Sequence, residues 1–163
     1  MNDRDAHERP DRHGFDANRS YLSAAVGRVV PESVVRRALR VDVETDRERY
    51  APGDPIEFTV TFHNRLPVPV SVPTPRRRLW GWTLDGDLEA SDEPRYSGVE
   101  PSSFPFRANE RKVFRHTWNG LRKRVGERTR WRPLAPGTYE LTAFVATDDP
   151  RPSAATTVRI EAD

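Results

Sequence analysis

Residues 40–163 read as an all-β domain, an immunoglobulin-like antiparallel β-sandwich of about seven strands. A short helical extension over residues 20–39 and a disordered tail over residues 1–19 precede it. Two observations predict this. Apolar residues recur with period two: Ile56, Phe58, Val60 and Phe62 alternate with Glu57, Thr59, Thr61 and His63, and Tyr139, Leu141, Ala143 and Val145 alternate with Thr138, Glu140 and Thr142. Turn signals, Tyr50-Ala51-Pro52-Gly53-Asp54 and Pro136-Gly137, precede these runs, and no stretch of helical period separates the strands. One apolar and one polar face per strand is the pattern of antiparallel sheets packed on one side. Short strands in succession without helices between them make a sandwich.

Taken in order, Met1 to Arg19 carry nine acidic and basic side chains and two histidines among few apolar groups. Such a segment buries too little surface to offset its ordering entropy. In the next piece Ser20 can cap a first turn, and Pro31 suits the start of a second helix holding Val34, Val35, Ala38 and Leu39. From Arg40 the period becomes two, with Val41, Val43 and Thr45 against Asp42, Glu44 and Asp46. The segment after Asn64 holds Pro67, Pro69, Pro73 and Pro75, all of one parity. Alternate amides of a strand point to one side, so the missing donors can line an unpaired edge while the Val68, Val70 and Val72 amides pair inward. An edge strand that resists aggregation is the expectation. Trp80, Trp82 and Leu84 share a parity in the next strand, an acidic loop runs to about Ser103, and Phe114 and Trp118 share a face before the Asn119-Gly120 turn. Val158 and Ile160 mark the last strand.

The 163 residues suffice for one domain with a core and are few for two. Without cysteine, neither disulfides nor thiolate metal sites are available, and stability rests on packing. The first residues lack the apolar stretch of a secretory signal, and no run approaches the roughly 18 apolar residues of a membrane span. A cytoplasmic location without membrane attachment is therefore expected. The net charge of +2 is uninformative, but its distribution is uneven. Arg107 to Arg132 hold ten basic residues against Glu110 and Glu127, whereas Asp85 to Glu100 hold six acids against one arginine.

Several motifs resemble those of the BsuPI-type intracellular proteinase inhibitor domain. They are Tyr50-Ala51-Pro52-Gly53-Asp54, Phe58-Thr59-Val60-Thr61-Phe62-His63-Asn64, the isolated Trp80 and Leu134-Ala135-Pro136-Gly137-Thr138-Tyr139-Glu140-Leu141-Thr142-Ala143. The likeness covers about Asp46 to Glu161. The stretches RRLWGW, TWNG and AFVATDD resemble, more closely, a group of small uncharacterised archaeal proteins with that kind of domain. The resemblance implies an immunoglobulin-like fold and inhibition of an intracellular serine proteinase. No inhibitory residue set carries over onto positions here.

The residues themselves point to one candidate partner surface: Arg122, Lys123, Arg124, Arg128, Arg130, Trp131 and Arg132. A basic run with an aromatic plane can meet an acidic protein surface, here together with the acidic loop around Asp87 to Glu100. The two loops can instead hold each other. Nucleic acid is the lesser alternative, with phosphates on the arginines and a base stacked on Trp131; no RNP, KH or helix-turn-helix pattern accompanies the run. Trp80 and Trp118 are expected between the sheets. No catalytic residues, cofactor or metal are assigned, since no G-x-S-x-G, P-loop or H-E-x-x-H motif occurs. His63 and His116 fall on different strands and could meet in space. Asp85-Gly86-Asp87 and Asp148-Asp149 offer oxygens for Ca²⁺, but Asp-Gly is more simply a hairpin turn. The expected function is thus a non-catalytic protein-interaction module.

Overall fold

The computed structural model describes residues 30–88, 100–124 and 130–162. The tail over residues 1–19 and the first half of the expected helical extension lie outside these. Helix α1 (Glu32–Ala38) leads into twelve strands among the described residues: β1 (Leu39–Thr45), β2 (Arg49–Tyr50), β3 (Ile56–Asn64), β4 (Val70–Thr74), β5 (Trp80–Leu84), β6 (Asp87–Leu88), β7 (Ser102–Phe106), β8 (Arg111–Trp118), β9 (Leu121–Arg124), β10 (Arg130–Pro133), β11 (Gly137–Val145) and β12 (Ser153–Ile160).

The helix starts at Pro31, whose carbonyl accepts from the amides of Val34 and Val35 at 2.9 and 3.1 Å. Glu32 in its first turn and Arg36 and Arg37 in its last suit the helix dipole, and Glu32 pairs with Arg36 one turn on. Seven residues do not make a helix that stands alone. Val35 and Leu39 anchor it in the core, and Leu39 is already extended as the first residue of β1. Val34, placed in this helix by the sequence, is 44% exposed. One residue's step turns Val34 about 100° round the helix from the buried Val35.

Two sheets face each other. One has the order β1-β3-β8; the other has the order β2-β12-β11-β5-β6, antiparallel except for the short parallel pairing of β2 with β12. The chain places β1 and β3 in the first sheet, β5 in the second, β8 in the first again, then β11 and β12 in the second. That alternation is the Greek-key arrangement of an immunoglobulin-like sandwich. Two further marks of the fold are present. Trp82 is buried on β5, and Tyr139 at the start of β11 donates its hydroxyl to the Ala135 carbonyl at 2.8 Å, a tyrosine corner.

β11 is central, pairing Leu141 with Leu84 and Ala143 with Trp82 on one side, and with Thr156 and Ala154 on the other. Its inward residues meet Ile56, Phe58, Val60 and Phe62 of β3, all buried, with Trp118 and Val158 completing the core. Phe58 lies edge-on to Trp82 at 5.2 Å, and Trp82 is 5.7 Å from Trp118; each such pair adds about 0.5–1.5 kcal/mol beyond area burial. Trp80, at the margin, is half-buried against Phe62 and Phe114. Phe144 breaks the alternation, buried on the outer face of the sheet. Gly81 stands opposite it, and a Cβ there would lie 2.8 Å from the Phe144 ring. The Arg151 guanidinium covers the ring 3.8 Å from its centre.

The Pro-rich segment becomes an edge strand only from Val70 onward. β4 pairs with β7 as a separate two-stranded ribbon that turns Val70, Val72, Phe104 and Phe106 into the core. Pro73 faces Ser103 and Pro105 faces Ser71 in the register. Proline has no donor, so these are the non-bonded pairs, and both outer edges of the ribbon carry a proline. Val68 lies outside the strand. Its carbonyl is bound by the buried Asn64, whose Nδ2 donates to Val68 and Arg107 carbonyls at 2.9 and 2.8 Å while its Oδ1 accepts from the Leu66 amide at 3.0 Å.

Candidate functional site: the basic β9–β10 ribbon

β9 and β10 form a two-stranded ribbon of their own, with Arg130 opposite Arg124, Trp131 opposite Lys123, Arg132 opposite Arg122 and Pro133 opposite Leu121. Its base is fixed. Gly120, at φ +70°, passes so close to the Asp54 carbonyl that a Cβ would lie 2.3 Å from that oxygen. Asn119 Oδ1 accepts from the Leu121 amide at 3.1 Å, Pro133 packs on Gly53, and Leu134 is buried. The Tyr50 to Asp54 turn is therefore the seat of the ribbon.

Beyond the base, the residues of β10 are exposed, and Trp131 is 46% exposed between Arg130 and Arg132. Like charges directly opposite each other on paired strands repel, and this register sets arginine against arginine twice. One of the four is neutralised within the chain, because Arg122 forms an ion pair with Asp87 of β6. Arg130 and Arg132 have no carboxylate partner among the described residues. Of the seven residues expected to form the partner surface, Arg122, Lys123, Arg130, Trp131 and Arg132 come together on this ribbon, Arg124 joins them by its backbone register, and Arg128 lies outside the described residues.

The acidic loop divides. Asp87 holds Arg122, Glu100 pairs with Arg77 instead, and residues 89–99 lie outside the described residues. Asp85-Gly86 is the turn of the β5–β6 hairpin, both with positive φ; the Asp85 carboxylate accepts from the Glu140 amide at 2.8 Å. The histidines do not meet. His116 faces inward against Phe58 and Trp82, whereas His63 sits on the outer face in one row with Arg40 and Arg111. Burial, then the charges of Arg111, Arg65 and Arg40, hold the His63 imidazole below its ordinary value.

On β2, an edge strand of the second sheet that leads into the Tyr50 to Asp54 turn, Tyr50 donates to Asp46 Oδ1 at 2.5 Å and accepts from the Arg47 amide at 3.2 Å. Burial, then this bond to a carboxylate, pushes the tyrosine up to about 12. Burial alone would raise Asp46, but the bonds from Tyr50 and Arg47 outweigh it and leave the carboxyl below its ordinary value. Nothing in the sequence pattern signalled this pair beyond its place in the turn.

Together these features define an immunoglobulin-like β-sandwich bearing a basic two-stranded arm. The chain belongs to a family of unknown function, DUF7974, whose model matches residues 27–161. No curated protein matches it. Among solved structures it is similar to the CARDB domain of a Pyrococcus furiosus protein (15% identity, 77% of this chain and 96% of that one, TM-score 0.48). It is also similar to the sporulation control protein Spo0M of Bacillus subtilis (15% identity, 77% and 50%, TM-score 0.47) and to a β-glucosidase of Listeria innocua (10% identity, 76% and 16%, TM-score 0.46). No helix among the described residues is long and apolar enough to cross a membrane.

Proposed function

We propose that the chain is a non-catalytic protein-interaction module that presents the β9–β10 ribbon to an acidic surface of a protein partner. The observation that carries this reading is Trp131, a large aromatic left 46% exposed between two arginines that have no carboxylate partner among the described residues. Aromatic and arginine side chains supply most of the energy at protein interfaces, and an opposing carboxylate relieves the repulsion that the arginine register builds in. The BsuPI-type likeness of the Pro-Gly turns makes an intracellular, subtilisin-type serine proteinase the first partner to try.

The direct test is inhibition of such a proteinase by the full chain and by its Trp131→Ala and Arg130→Glu/Arg132→Glu variants. Inhibition that weakens about tenfold or more in both variants supports the reading; equal inhibition by all three removes the ribbon from it. Nucleic acid is the second reading, favoured by the same indole plane beside cations. Filter binding of single-stranded DNA at two salt concentrations separates the two, since phosphate binding falls steeply with salt.

A further inference from the structure

The β1-β3-β8 sheet has a margin that the ribbon does not use. β8 pairs with β3 on one side, and among the described residues no strand pairs with its other side. The register identifies the backbone groups left over. The Asn64 amide donates to the Glu110 carbonyl at 2.9 Å, so Asn64 and Glu110 form a hydrogen-bonded pair. Bonded pairs recur at every second residue of an antiparallel ladder. Lys112, Phe114, His116 and Trp118 therefore bond to β3, while the N–H and C=O of Arg111, Val113, Arg115 and Thr117 point away from it. The far side of β3 agrees: the Asp46 amide donates to the Glu57 carbonyl at 3.0 Å, which turns the alternate groups of β3 onto β1.

Four donors and four acceptors thus stand in a row on a strand of eight residues, about 27 Å long at roughly 3.4 Å per residue. No proline blunts it, unlike the edges of the β4–β7 ribbon. The side chains of the same four residues are exposed, Val113 at 56%. Such an edge is a template for an added strand.

Charge selects the occupant. On the outer face Arg111 lies in one row with His63 and Arg40, the last already paired with Asp42, and Glu44 stands on the far strand of the same face; on β8 itself neither Arg111 nor Arg115 has a carboxylate partner among the described residues. A second copy of β8 centred on Val113 would set Arg111 against Arg115 twice. An acidic strand gains where that pairing loses, because opposite charges and β-branched neighbours stabilise directly opposed positions. We propose that the free edge of β8 receives an extended acidic segment of a partner protein as an added β-strand, with acidic residues opposite Arg111 and Arg115 and an apolar β-branched residue opposite Val113. This surface is separate from the β9–β10 ribbon, so failure of either reading leaves the other standing.

The test uses the full chain and an end-blocked peptide, Thr-Glu-Thr-Val-Thr-Glu-Thr, followed by amide hydrogen exchange in NMR spectra. Saturating peptide is expected to slow exchange at Arg111, Val113, Arg115 and Thr117 about tenfold or more, while Lys112, Phe114 and His116, already bonded, do not change. Peptides N-methylated on one alternate set of residues should lose binding, and those methylated on the other set should keep it, because a strand offers one set of amides to each side. Val113→Pro removes one outward donor without touching a bond to β3 and should weaken binding about tenfold or more; if that variant does not fold, the methylated peptides decide alone. Three results overturn the proposal: no slowing at the four amides, equal binding by both methylated series, or protection that rises with protein concentration in the absence of peptide.

Discussion

Replacing Tyr50 by phenylalanine removes one oxygen from a ring that is 3% exposed, so the packing stays and no cavity forms. The cation–π contact of Arg47, 4.9 Å from the ring centre, also survives. What is lost is the bond to the Asp46 carboxylate and the acceptor for the Arg47 amide. A hydrogen bond to a charged group contributes about 1.5–3 kcal/mol. The Asp46 side chain is 36% exposed, which places the loss near the lower bound, about 1.5 kcal/mol. Urea denaturation followed by tryptophan fluorescence would read this as a midpoint lowered by roughly 0.5–1.5 M. The pH dependence is the sharper check. The folded-state tyrosine titrates at about 12 against an ordinary 10.0, so its contribution is complete below pH 10 and is lost as pH rises through 12. Asp46 lies below its ordinary 3.8, so its part is complete above that value and is lost as pH falls through the depressed one. The gap between wild type and Tyr50→Phe should therefore be flat between pH 5 and 9 and close toward both ends. A gap that is absent at pH 7, or unchanged at pH 12, refutes the coupling.

Three more outcomes follow from contacts elsewhere. Gly120→Ala brings a methyl against the Asp54 carbonyl at a left-handed backbone position; it should cost at least about 1–2 kcal/mol in denaturation and loosen the ribbon base. Asn64→Ala leaves the Val68 and Arg107 carbonyls and the Leu66 amide without their partner; a loss of about 2–4 kcal/mol is expected in the same assay. Trp131→Ala should change stability by less than about 0.5 kcal/mol, because nothing in the core depends on that indole.

The period-two runs of β3 and β11 made the core of the sandwich legible, since each residue there has one environment per face. The Tyr50 to Asp54 turn was legible for the same reason that turns usually are: Pro and Gly leave few alternatives. Phe144 was not, because its burial depends on Gly81, which is distant in sequence and meets it only after β11 pairs with β5, and on Arg151, which folds back over the ring from the β11–β12 connection. The Pro67 to Pro75 parity correctly signalled an edge, but its start depends on Asn64 claiming the Val68 carbonyl. The basic run was visible as charge. Its folding into a ribbon with arginines opposed is a matter of register, as are the Arg122–Asp87 pair and the margin of β8 that no described strand pairs with, and register is fixed by contacts that no single segment encodes.

The reading of the ribbon as the address and the sandwich as its support is tested most directly by one titration. The four tryptophan indole N–H resonances of the full chain are followed in NMR spectra as a short polyglutamate peptide is added. Trp131 should shift in proportion to peptide bound while the buried Trp82 and Trp118 stay in place. A stationary Trp131, with the peptide bound elsewhere or not at all, would contradict it.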